Sequence, residues 1–403
     1  MSLGGIPGQV LELSSKAMIL KETSDTMTRY LRILLCLCLL LGAQTLGPPE
    51  AVASSTQKPR ITSVGNVRIM HLVGTPFEMG RQHGRLLKAE VQRLYNDYIV
   101  AFAGGQTQVA IGTKVAQFSM LPNIPKAYVE EMRGLAAGSG LSFEQVLVAQ
   151  AFLDIKKIVQ CSTVALTGKA SEFSEPMLGR NLDFPSLGFI HRHSIVVVRH
   201  PTQGQVTVSV GWPLLLGTFS GMNASGVSLA MMEVYTKTSS LNGMPYALLF
   251  RQALESSKTT SDVVRFIEKA QHTASNNLMV LDGKGHAALV EITADVVAVR
   301  RPADGKLYAT NHHRSAPLAQ KTSCWRYRLL EKRLSAPDTR LGLKNLTALL
   351  DDVDQKELNL QAMVFLPRKR SLHLSAGKIP AAKGPYIELS REALFGPTEK
   401  ETR

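Results

Sequence analysis

A cysteine followed by an arginine and an aspartate offers the clearest chemistry in this sequence of 403 residues. Cys161 precedes the segment Gly179-Arg180-Asn181-Leu182-Asp183-Phe184 by a short stretch of chain. A thiol beside a cation and a carboxylate has the groups needed to form and hold a reactive thiolate. The sequence contains neither a Gly-x-Ser-x-Gly nor a His-Glu-x-x-His motif, and no His lies in a recognisable triad context. Cys161 is therefore the predicted nucleophile.

Cys161 would also supply its own base if the peptide bond after Gln160 were cut. The new α-amino group would have a pKa of about 7.7–8.0, so at neutral pH it can accept the proton of the thiol beside it. Arg180 would then stabilise the thiolate by its charge, and Asp183 would hold the α-ammonium group. An ordinary surface ion pair is the alternative interpretation of Arg180 and Asp183.

The predicted elements change in character at Cys161. Residues 54–160 are predicted to be mostly helical, because their apolar residues recur at helical spacing. Gly80 and Gly84 are four residues apart in this segment and predict a smooth patch where another backbone can approach. Residues 161–403 are predicted to be rich in strands, with two pairs of helices between groups of strands. This order is typical of antiparallel sheets with helices packed outside them.

The first 53 residues have the pattern of a secretory signal peptide, with a possibly over-extended start. Two arginines precede an apolar run at residues 33–43, and the small-residue site Ala51-Val52-Ala53 follows. Met27 is an alternative start. The apolar run has about half the length needed to cross a bilayer, so no stable membrane span is predicted. The pattern predicts a secreted or periplasmic protein.

Charge and cysteine content narrow the possible partners. Lys and Arg number 46 against 32 Asp and Glu, a net charge of +14, which favours anionic surfaces or substrates. The basic residues are scattered and not interleaved with aromatic residues, so nucleic-acid binding is not predicted. Cys36 and Cys38 fall within the signal peptide. In an oxidising compartment Cys161 and Cys324 either form a disulfide or stay free, and the cysteine count leaves both open.

Several segments, in this order along the chain, resemble a known enzyme family. They are Leu72-Val73-Gly74-Thr75-Pro76-Phe77-Glu78-Met79-Gly80-Arg81-Gln82-His83-Gly84, Cys161-Ser162-Thr163, the segment from Gly179 to Phe184, Gly221-Met222-Asn223-Ala224-Ser225-Gly226-Val227 and Thr310-Asn311-His312. They are similar to the acyl-coenzyme A:6-aminopenicillanic acid acyltransferase family of autoproteolytic cysteine N-terminal-nucleophile (Ntn) hydrolases. Bile-salt hydrolases, penicillin V acylases and the acid ceramidase group are more distant relatives.

The resemblance implies an α+β fold, a four-layer αββα sandwich, made as a precursor that cleaves itself before the nucleophile. Residues 54–160 would then be a helical pro-region, or α chain, and residues 161–403 the catalytic domain, or β chain. The resemblance assigns catalytic roles to six residues, carried over position by position: Cys161, Arg180, Asp183, Asn223, Asn311 and Arg326. Asn223 would donate to the oxyanion, Asn311 would bond the amine or the oxyanion, and Arg326 would be a supporting cation. A turn residue is the alternative interpretation of Asn223.

The sequence therefore predicts a secreted cysteine Ntn hydrolase that cleaves a linear non-peptide amide through a thioester acyl-enzyme. Its expected partners are a small-molecule amide or N-acyl substrate and its own pro-region, retained after cleavage. No cofactor and no metal are expected. One alternative is an acyltransferase that passes the acyl group to an amine. Another is an uncleaved, inactive binding protein with a disulfide between Cys161 and Cys324.

Overall fold

Two β-sheets stacked face to face form the centre of the structure, a computed structural model that describes residues 58–156, 160–336 and 338–396. The strands are β1 (Arg60–Val64), β2 (Val67–Gly74), β3 (Gln160–Leu166), β4 (Met177–Asp183), β5 (Ile195–Pro201), β6 (Thr207–Gly211), β7 (Ser220–Asn223), β8 (Val227–Glu233), β9 (Asn276–Asp282), β10 (Ala287–Ile292), β11 (Val297–Arg300), β12 (Lys306–Ala309), β13 (Asn359–Leu366), β14 (Ser371–Ala376) and β15 (Ile387–Leu389). The larger sheet has the strand order β1-β2-β5-β6-β7-β8-β9-β10-β11, and the smaller has β12-β3-β4-β13-β14-β15. The predicted signal peptide, residues 1–53, lies outside the described residues.

Helices cover the outer faces of both sheets. They are α1 (Pro76–Leu86), α2 (Lys88–Arg93), α3 (Val100–Ala103), α4 (Gln106–Val115), α5 (Lys126–Ser139), α6 (Phe143–Ile155), α7 (Tyr246–Ser256), α8 (Thr260–Lys269), α9 (Trp325–Leu334), α10 (Leu343–Asp352) and α11 (Arg391–Phe395). Helices α7 and α8 pack on the larger sheet, and α9 and α10 pack on the smaller sheet. The described chain thus has helix, sheet, sheet and helix layers, and the predicted αββα fold class is confirmed.

The burial pattern of β3 shows how the sequence specifies these layers. Side chains of successive strand residues point to opposite faces. Cys161 and Ala165 belong to the core between the two sheets, whereas Val164 and Leu166 belong to a second core beneath α9 and α10. Both faces of β3 are therefore buried, and Gln160 is its one exposed residue.

The segment before Cys161 contains many helices, and it also contributes two strands that the sequence analysis did not predict. Strands β1 and β2 precede its helices and form one end of the larger sheet. Strand β2 pairs in parallel with β5, while all the other neighbouring strands described pair antiparallel. A helical-spacing analysis missed these strands because they precede the periodic region. The N-terminal segment is therefore part of the sandwich itself.

The predicted close approach at Gly80 and Gly84 is present, and the partner helix contributes glycines of its own. A Cβ atom on Gly80 would lie 2.0 Å from the carbonyl oxygen of Glu131 on α5. One on Gly134 would lie 2.1 Å from the carbonyl oxygen of Phe77 on α1. Real Cβ atoms do not approach oxygen this closely, so the backbones of α1 and α5 contact each other directly at these positions.

A buried ion network joins helix α5 to the strands and helices that follow Cys161. The Glu131 carboxylate lies 3.3 Å from Nε of Arg199 on β5 and 2.6 Å from Nη2 of Arg251 on α7, and all three side chains are buried. Burial raises the pKa of Glu131, but the charges of Arg251 and Arg199 outweigh burial and hold this pKa below its usual value. Removing one partner would leave buried charges uncompensated, so the network resists separation of its parts.

No helix among residues 58–156, 160–336 and 338–396 is both long enough and apolar enough to cross a membrane.

Candidate active site

The backbone of Cys161 is held on both sides by residues predicted to belong to the site. Cys161 begins the buried part of β3, and its side chain is fully enclosed between the sheets. Its N–H donates to Oδ1 of Asn311 at 2.8 Å, and its carbonyl oxygen accepts from Nη1 of Arg326 at 2.7 Å. Asn311 follows β12, which pairs with β3, and Arg326 lies in the first turn of α9. The nitrogen of Cys161 is therefore positioned by a side-chain amide oxygen.

Arg326 and Asp183 extend this arrangement into a buried polar network. Arg326 also donates to Oδ1 of Asn311 at 3.1 Å, and its Nη1 lies 3.5 Å from Oδ2 of Asp183. The other carboxylate oxygen of Asp183 accepts from Nδ2 of Asn359 at 2.8 Å. Asp183 ends β4 directly beside the start of β3, because Gln160 pairs with Asp183 in the strand register. The carboxylate, guanidinium and amide groups thus surround the first residues of β3.

Burial is the largest influence on the pKa values of the Cys161 thiol and the Asp183 carboxyl group. It raises the pKa of Cys161 to about 11, even though the charge of Arg180 lowers it. The Asp183 charge raises the pKa of the thiol further, whereas a hydrogen bond from the Asp183 backbone and the charge of Arg326 lower it. Burial raises the pKa of Asp183 to about 6, against the lowering effects of Asn359 and of the two arginines. In the uncleaved chain the thiol is therefore protonated at neutral pH and needs a base.

Arg180 lies near Cys161 but bonds elsewhere. It pairs with Thr163 in the strand register, so it is a diagonal neighbour of Cys161, which pairs with Leu182. Its side chain is fully buried, and Nη1 donates to the carbonyl oxygen of Met231 on β8. The guanidinium therefore sits between the sheets, where its charge acts on the thiol through a low-dielectric medium.

Asn223 does not join this site, and the expectation that it donates to the oxyanion is wrong. Both hydrogens of its amide are used, one for the carbonyl oxygen of Leu254 at 2.7 Å and one for that of Ser257 at 2.8 Å. Its Oδ1 accepts from the N–H of Val227 at 2.9 Å, and its carbonyl oxygen accepts from the N–H of Gly226. Asn223 is thus a turn residue that ties the β7–β8 connection to the end of α7, which was the alternative interpretation.

Cys161 and Cys324 are both free thiols, so the disulfide of the binding-protein alternative is not formed in this structure. Cys161 lies in the core between the sheets, whereas Cys324 immediately precedes α9 on the outer side of the smaller sheet. The Thr310 hydroxyl lies 3.6 Å from the Cys324 sulfur. Burial raises the pKa of Cys324, but hydrogen bonds with His312, the Tyr327 backbone and Thr310 outweigh burial and lower this pKa to about 6.

Three residues near the site were missed by the sequence analysis: Asn359, Glu233 and Tyr246. Asn359 positions the Asp183 carboxylate, and the Glu233 carbonyl oxygen accepts from Nδ2 of Asn311 at 2.6 Å. The Tyr246 hydroxyl is buried, and no partner for it is found among the described residues. Burial, and then the charges of Glu233, Asp154 and Cys161, raise the pKa of Tyr246 well above its usual value. No motif marks these residues, because only the folding of distant strands brings them to Cys161.

An apolar cavity of about 40 Å³ lies beside this network. Phe184 follows Asp183 directly and lines it, and Phe219, also in its wall, packs on the Tyr246 ring at 6.2 Å between centroids. The remaining lining residues come from both sides of Cys161 in the sequence: Leu94, Tyr98, Ile99, Ala149, Phe152, Ile190, Trp212, Leu214 and Leu215. No cluster of three or more His, Cys, Asp or Glu side chains suited to a metal ion is found within the described part of the chain.

Comparison with known proteins identifies relatives of this chain by sequence. A family model for acyl-coenzyme A:6-aminopenicillanic acid acyl-transferase matches residues 170–378, a range that begins after Cys161 and includes the other five predicted site residues. An uncharacterized protein of Archaeoglobus fulgidus is 28% identical over 310 residues, which cover 68% of this chain and 51% of that protein. Protein dcd1A of Dictyostelium discoideum is 25% identical over 240 residues, covering 52% of this chain and 54% of its own length. The chain thus spans about half the length of these two relatives.

A named acyltransferase and two solved structures are also similar. The acyl-coenzyme A:6-aminopenicillanic-acid-acyltransferase 40 kDa form of Emericella nidulans is 23% identical over 246 residues, covering 59% of this chain and 67% of the enzyme. A Caenorhabditis elegans ortholog of N-acylethanolamine-hydrolyzing acid amidase superposes with a TM-score of 0.43 at 16% identity, covering 52% of this chain and 93% of that one. A conjugated bile acid hydrolase from Clostridium perfringens gives a TM-score of 0.42 at 12% identity, with coverage of 57% and 92%.

The family model accounts for residues 170–378 of 403, which is just over half of the chain. The matched range contains β4 with Arg180 and Asp183, and it continues through Asn311 and the start of α9 at Arg326. The chain therefore belongs to the acyl-coenzyme A:6-aminopenicillanic acid acyl-transferase family.

Proposed function

We propose that the protein is a cysteine amidase that transfers the acyl group of a linear, non-peptide amide to Cys161 and releases it to water. The observation that carries the proposal is the way the backbone of Cys161 is held. Its N–H faces Oδ1 of Asn311, and its carbonyl oxygen faces Arg326. A nitrogen fixed by a hydrogen-bond acceptor is suited to become an α-amino group that stays in place beside its own thiol.

The first step of the proposal is cleavage of the bond between Gln160 and Cys161. The Cys161 sulfur attacks the carbonyl carbon of Gln160, the C–N bond breaks, and the nitrogen leaves as the α-amino group of Cys161. Water then hydrolyses the resulting thioester, which gives a new carboxylate at Gln160 and a free thiol. The raised pKa of about 11 makes the thiol a poor nucleophile before cleavage. Asp183, with a pKa of about 6, is the carboxylate that we assign as acceptor of its proton.

After cleavage the α-amine acts as the general base for the thiol, since its ordinary pKa is about 7.7–8.0. The thiolate attacks the substrate carbonyl, and the amine returns the proton to the leaving nitrogen. Asn311 holds the α-amine through Oδ1, and Asp183 balances its positive charge. The oxyanion needs a donor other than Asn223, and we assign this role to the buried hydroxyl of Tyr246, for which no partner is found among the described residues.

The apolar cavity supports an acyl group as the part of the substrate held next to Cys161. Its wall is built from aromatic and aliphatic side chains, and Phe184 and Phe219 connect it to the catalytic network. Such a surface binds hydrocarbon by excluding water and offers little to a charged group. The proposed substrate is therefore a small N-acyl compound with an apolar acyl chain. The N-terminal segment supplies part of this wall, which fits its retention after cleavage.

Acyl transfer to an amine is the second candidate, favoured by the family's description and by the Emericella nidulans acyltransferase. The two activities share the thioester and differ in whether water or an amine attacks it. Secretion or export to the periplasm completes the proposal and is supported by the signal-peptide pattern in residues 1–53.

Intact-mass analysis of the full chain tests the first step. Wild type is expected to separate under denaturing conditions into a fragment ending at Gln160 and one beginning at Cys161. Cys161→Ala should remain a single chain, and Cys324→Ala, the matched control, should cleave like wild type. A wild-type chain that stays intact after long incubation between pH 5 and pH 8 would contradict autoproteolysis. A panel of N-acyl amides, with and without an added amine, then separates hydrolysis from transfer.

A further inference from the structure

A polar cleft lies at the end of the sandwich opposite Cys161. Its walls are the β7–β8 turn, the segment before α8, the β9–β10 turn and the β13–β14 turn, and its volume is about 210 Å³. Strand β8 begins beside the cleft and ends at Glu233, which contacts Asn311 of the candidate active site. Seven residues at about 3.3 Å each place the cleft about 20 Å from that site. It is therefore separate from the candidate active site.

Turns from the two sheets contact each other directly and fix the shape of this cleft. Gly226 of the β7–β8 turn has a φ of +79°, and a Cβ atom there would lie 2.6 Å from the carbonyl oxygen of Pro367. The N–H of Gly283 donates to the carbonyl oxygen of Gly226 at 2.9 Å. The Arg368 side chain bridges further, donating from Nε to the Gly283 carbonyl oxygen at 3.1 Å. The cleft thus lies where turns of the two sheets contact each other and are joined by hydrogen bonds.

Four cationic side chains from three separate segments line the cleft: Lys258, Lys284, Arg368 and Arg370. Among the described residues that line it, Asp282 supplies the one carboxylate. That carboxylate is buried and already accepts from the backbone N–H groups of Thr260, Lys284 and His286 at 3.0–3.1 Å. The carboxylate of Asp262 lies next to the lining and accepts from the Lys258 N–H and the Thr259 hydroxyl. Four positive charges against these two negative charges leave a net charge of about +2 around a small volume, which attracts multiply charged anions.

The hydroxyl groups of Ser225 and Thr259 also line the cleft, but they already donate to Oε1 of Gln205 at 2.9 Å and to Oδ2 of Asp262 at 2.8 Å, so the four cations carry the recognition. Guanidinium and ammonium groups are the usual partners of phosphate, whose two negative charges occupy little space. A carboxylate carries one negative charge and would neutralise less of the positive charge of the cleft. We propose that this cleft binds a soluble phosphate or diphosphate group, at a second site remote from Cys161. This inference does not depend on the proposed amidase activity.

Calorimetric titration of the full chain with inorganic pyrophosphate tests the proposal at low ionic strength. We expect one pyrophosphate per chain, and we expect Lys284→Glu to weaken binding at least about tenfold, which corresponds to about 1.4 kcal/mol. Lys332→Glu on α9 is the matched control, because it makes the same charge change on an exposed lysine outside the cleft. Lys258→Gln is a milder second variant and should weaken binding in the same direction. Cys161→Ala should bind like wild type.

Three results would overturn the proposal. The first is no detectable binding of pyrophosphate or of inorganic phosphate. The second is an equal loss in Lys332→Glu, which would indicate general attraction to a basic protein. The third is binding to phosphatidylglycerol vesicles without binding to pyrophosphate, which would assign the cleft to a lipid surface. Loss of amidase activity with intact pyrophosphate binding would bear on the proposed function alone.

Discussion

Replacing Asp183 by asparagine should make the Cys161 thiol of the uncleaved chain more acidic. Asp183 pairs with Gln160, the residue before Cys161 in β3, and we take a separation of about 6 Å between the thiolate and carboxylate charges. With an effective dielectric constant of about 20, that separation corresponds to about 2.8 kcal/mol, or about 2 pKa units. The Cys161 pKa of about 11 should therefore fall to about 9–10. Because the new side-chain amide would keep an oxygen that accepts from Asn359, the local fold should persist.

The assay is the rate of alkylation by iodoacetamide as a function of pH, followed by tryptic digestion and mass spectrometry. The peptide of residues 158–169 retains the Gln160–Cys161 bond only in uncleaved chains, so it reports the precursor thiol alone. Its labelling at pH 8 should rise about 10- to 100-fold in Asp183→Asn. Cys324 in the peptide of residues 322–326 is an internal reference, and Asp352→Asn is a control for the charge change. An unchanged or higher pKa of Cys161 would refute the reasoning.

Three further expectations concern catalysis and stability. Tyr246→Phe should lower kcat for amide hydrolysis by about 10²–10³ with little change in KM, whereas Asn223→Ala should impair folding rather than the chemical step, as judged by steady-state kinetics on the soluble fraction. Gly134→Ala should destabilise the fold by about 1–3 kcal/mol or more through overpacking, while Gly112→Ala, whose Cβ would lie 3.5 Å from its neighbours, should be neutral or stabilising in urea unfolding. Glu131→Ala should cost about 3–5 kcal/mol in the same measurement, since it leaves two buried arginines uncompensated.

The apolar patterns predicted antiparallel sheets with helices outside them, because the period changes where the elements change, and the four-layer arrangement came from the family resemblance. The close approach of another backbone to α1 was predictable from Gly80 and Gly84, but the identity of its partner, α5, was not. Strands β1 and β2 were missed because strand pairing depends on neighbours that are distant in sequence. The parallel pairing of β2 with β5 has no local signature.

The candidate site was predictable in part. Arg180 and Asp183 lie on the strand that pairs with Cys161, so their proximity follows from one hairpin. Asn311 and Arg326 came from the family resemblance, and the structure brings both to the Cys161 backbone. Asn223 was misassigned because an amide in a glycine-containing turn has the same sequence appearance whether it bonds a ligand or the protein. Tyr246 carries no local signal, because its position depends on how α7 packs against the larger sheet.

The strands contributed by the N-terminal segment affect whether the cleaved protein could refold after denaturation. Strand β2 is hydrogen-bonded to β5, and Glu131 bonds to Arg199 and Arg251, so a break before Cys161 would leave both pieces interleaved in one folded body. In a single chain, the covalent link makes these contacts intramolecular. In a broken chain they would have to be found by diffusion, at a cost that depends on protein concentration. Such a protein would persist by the slowness of its unfolding, and once denatured it would not recover at low concentration.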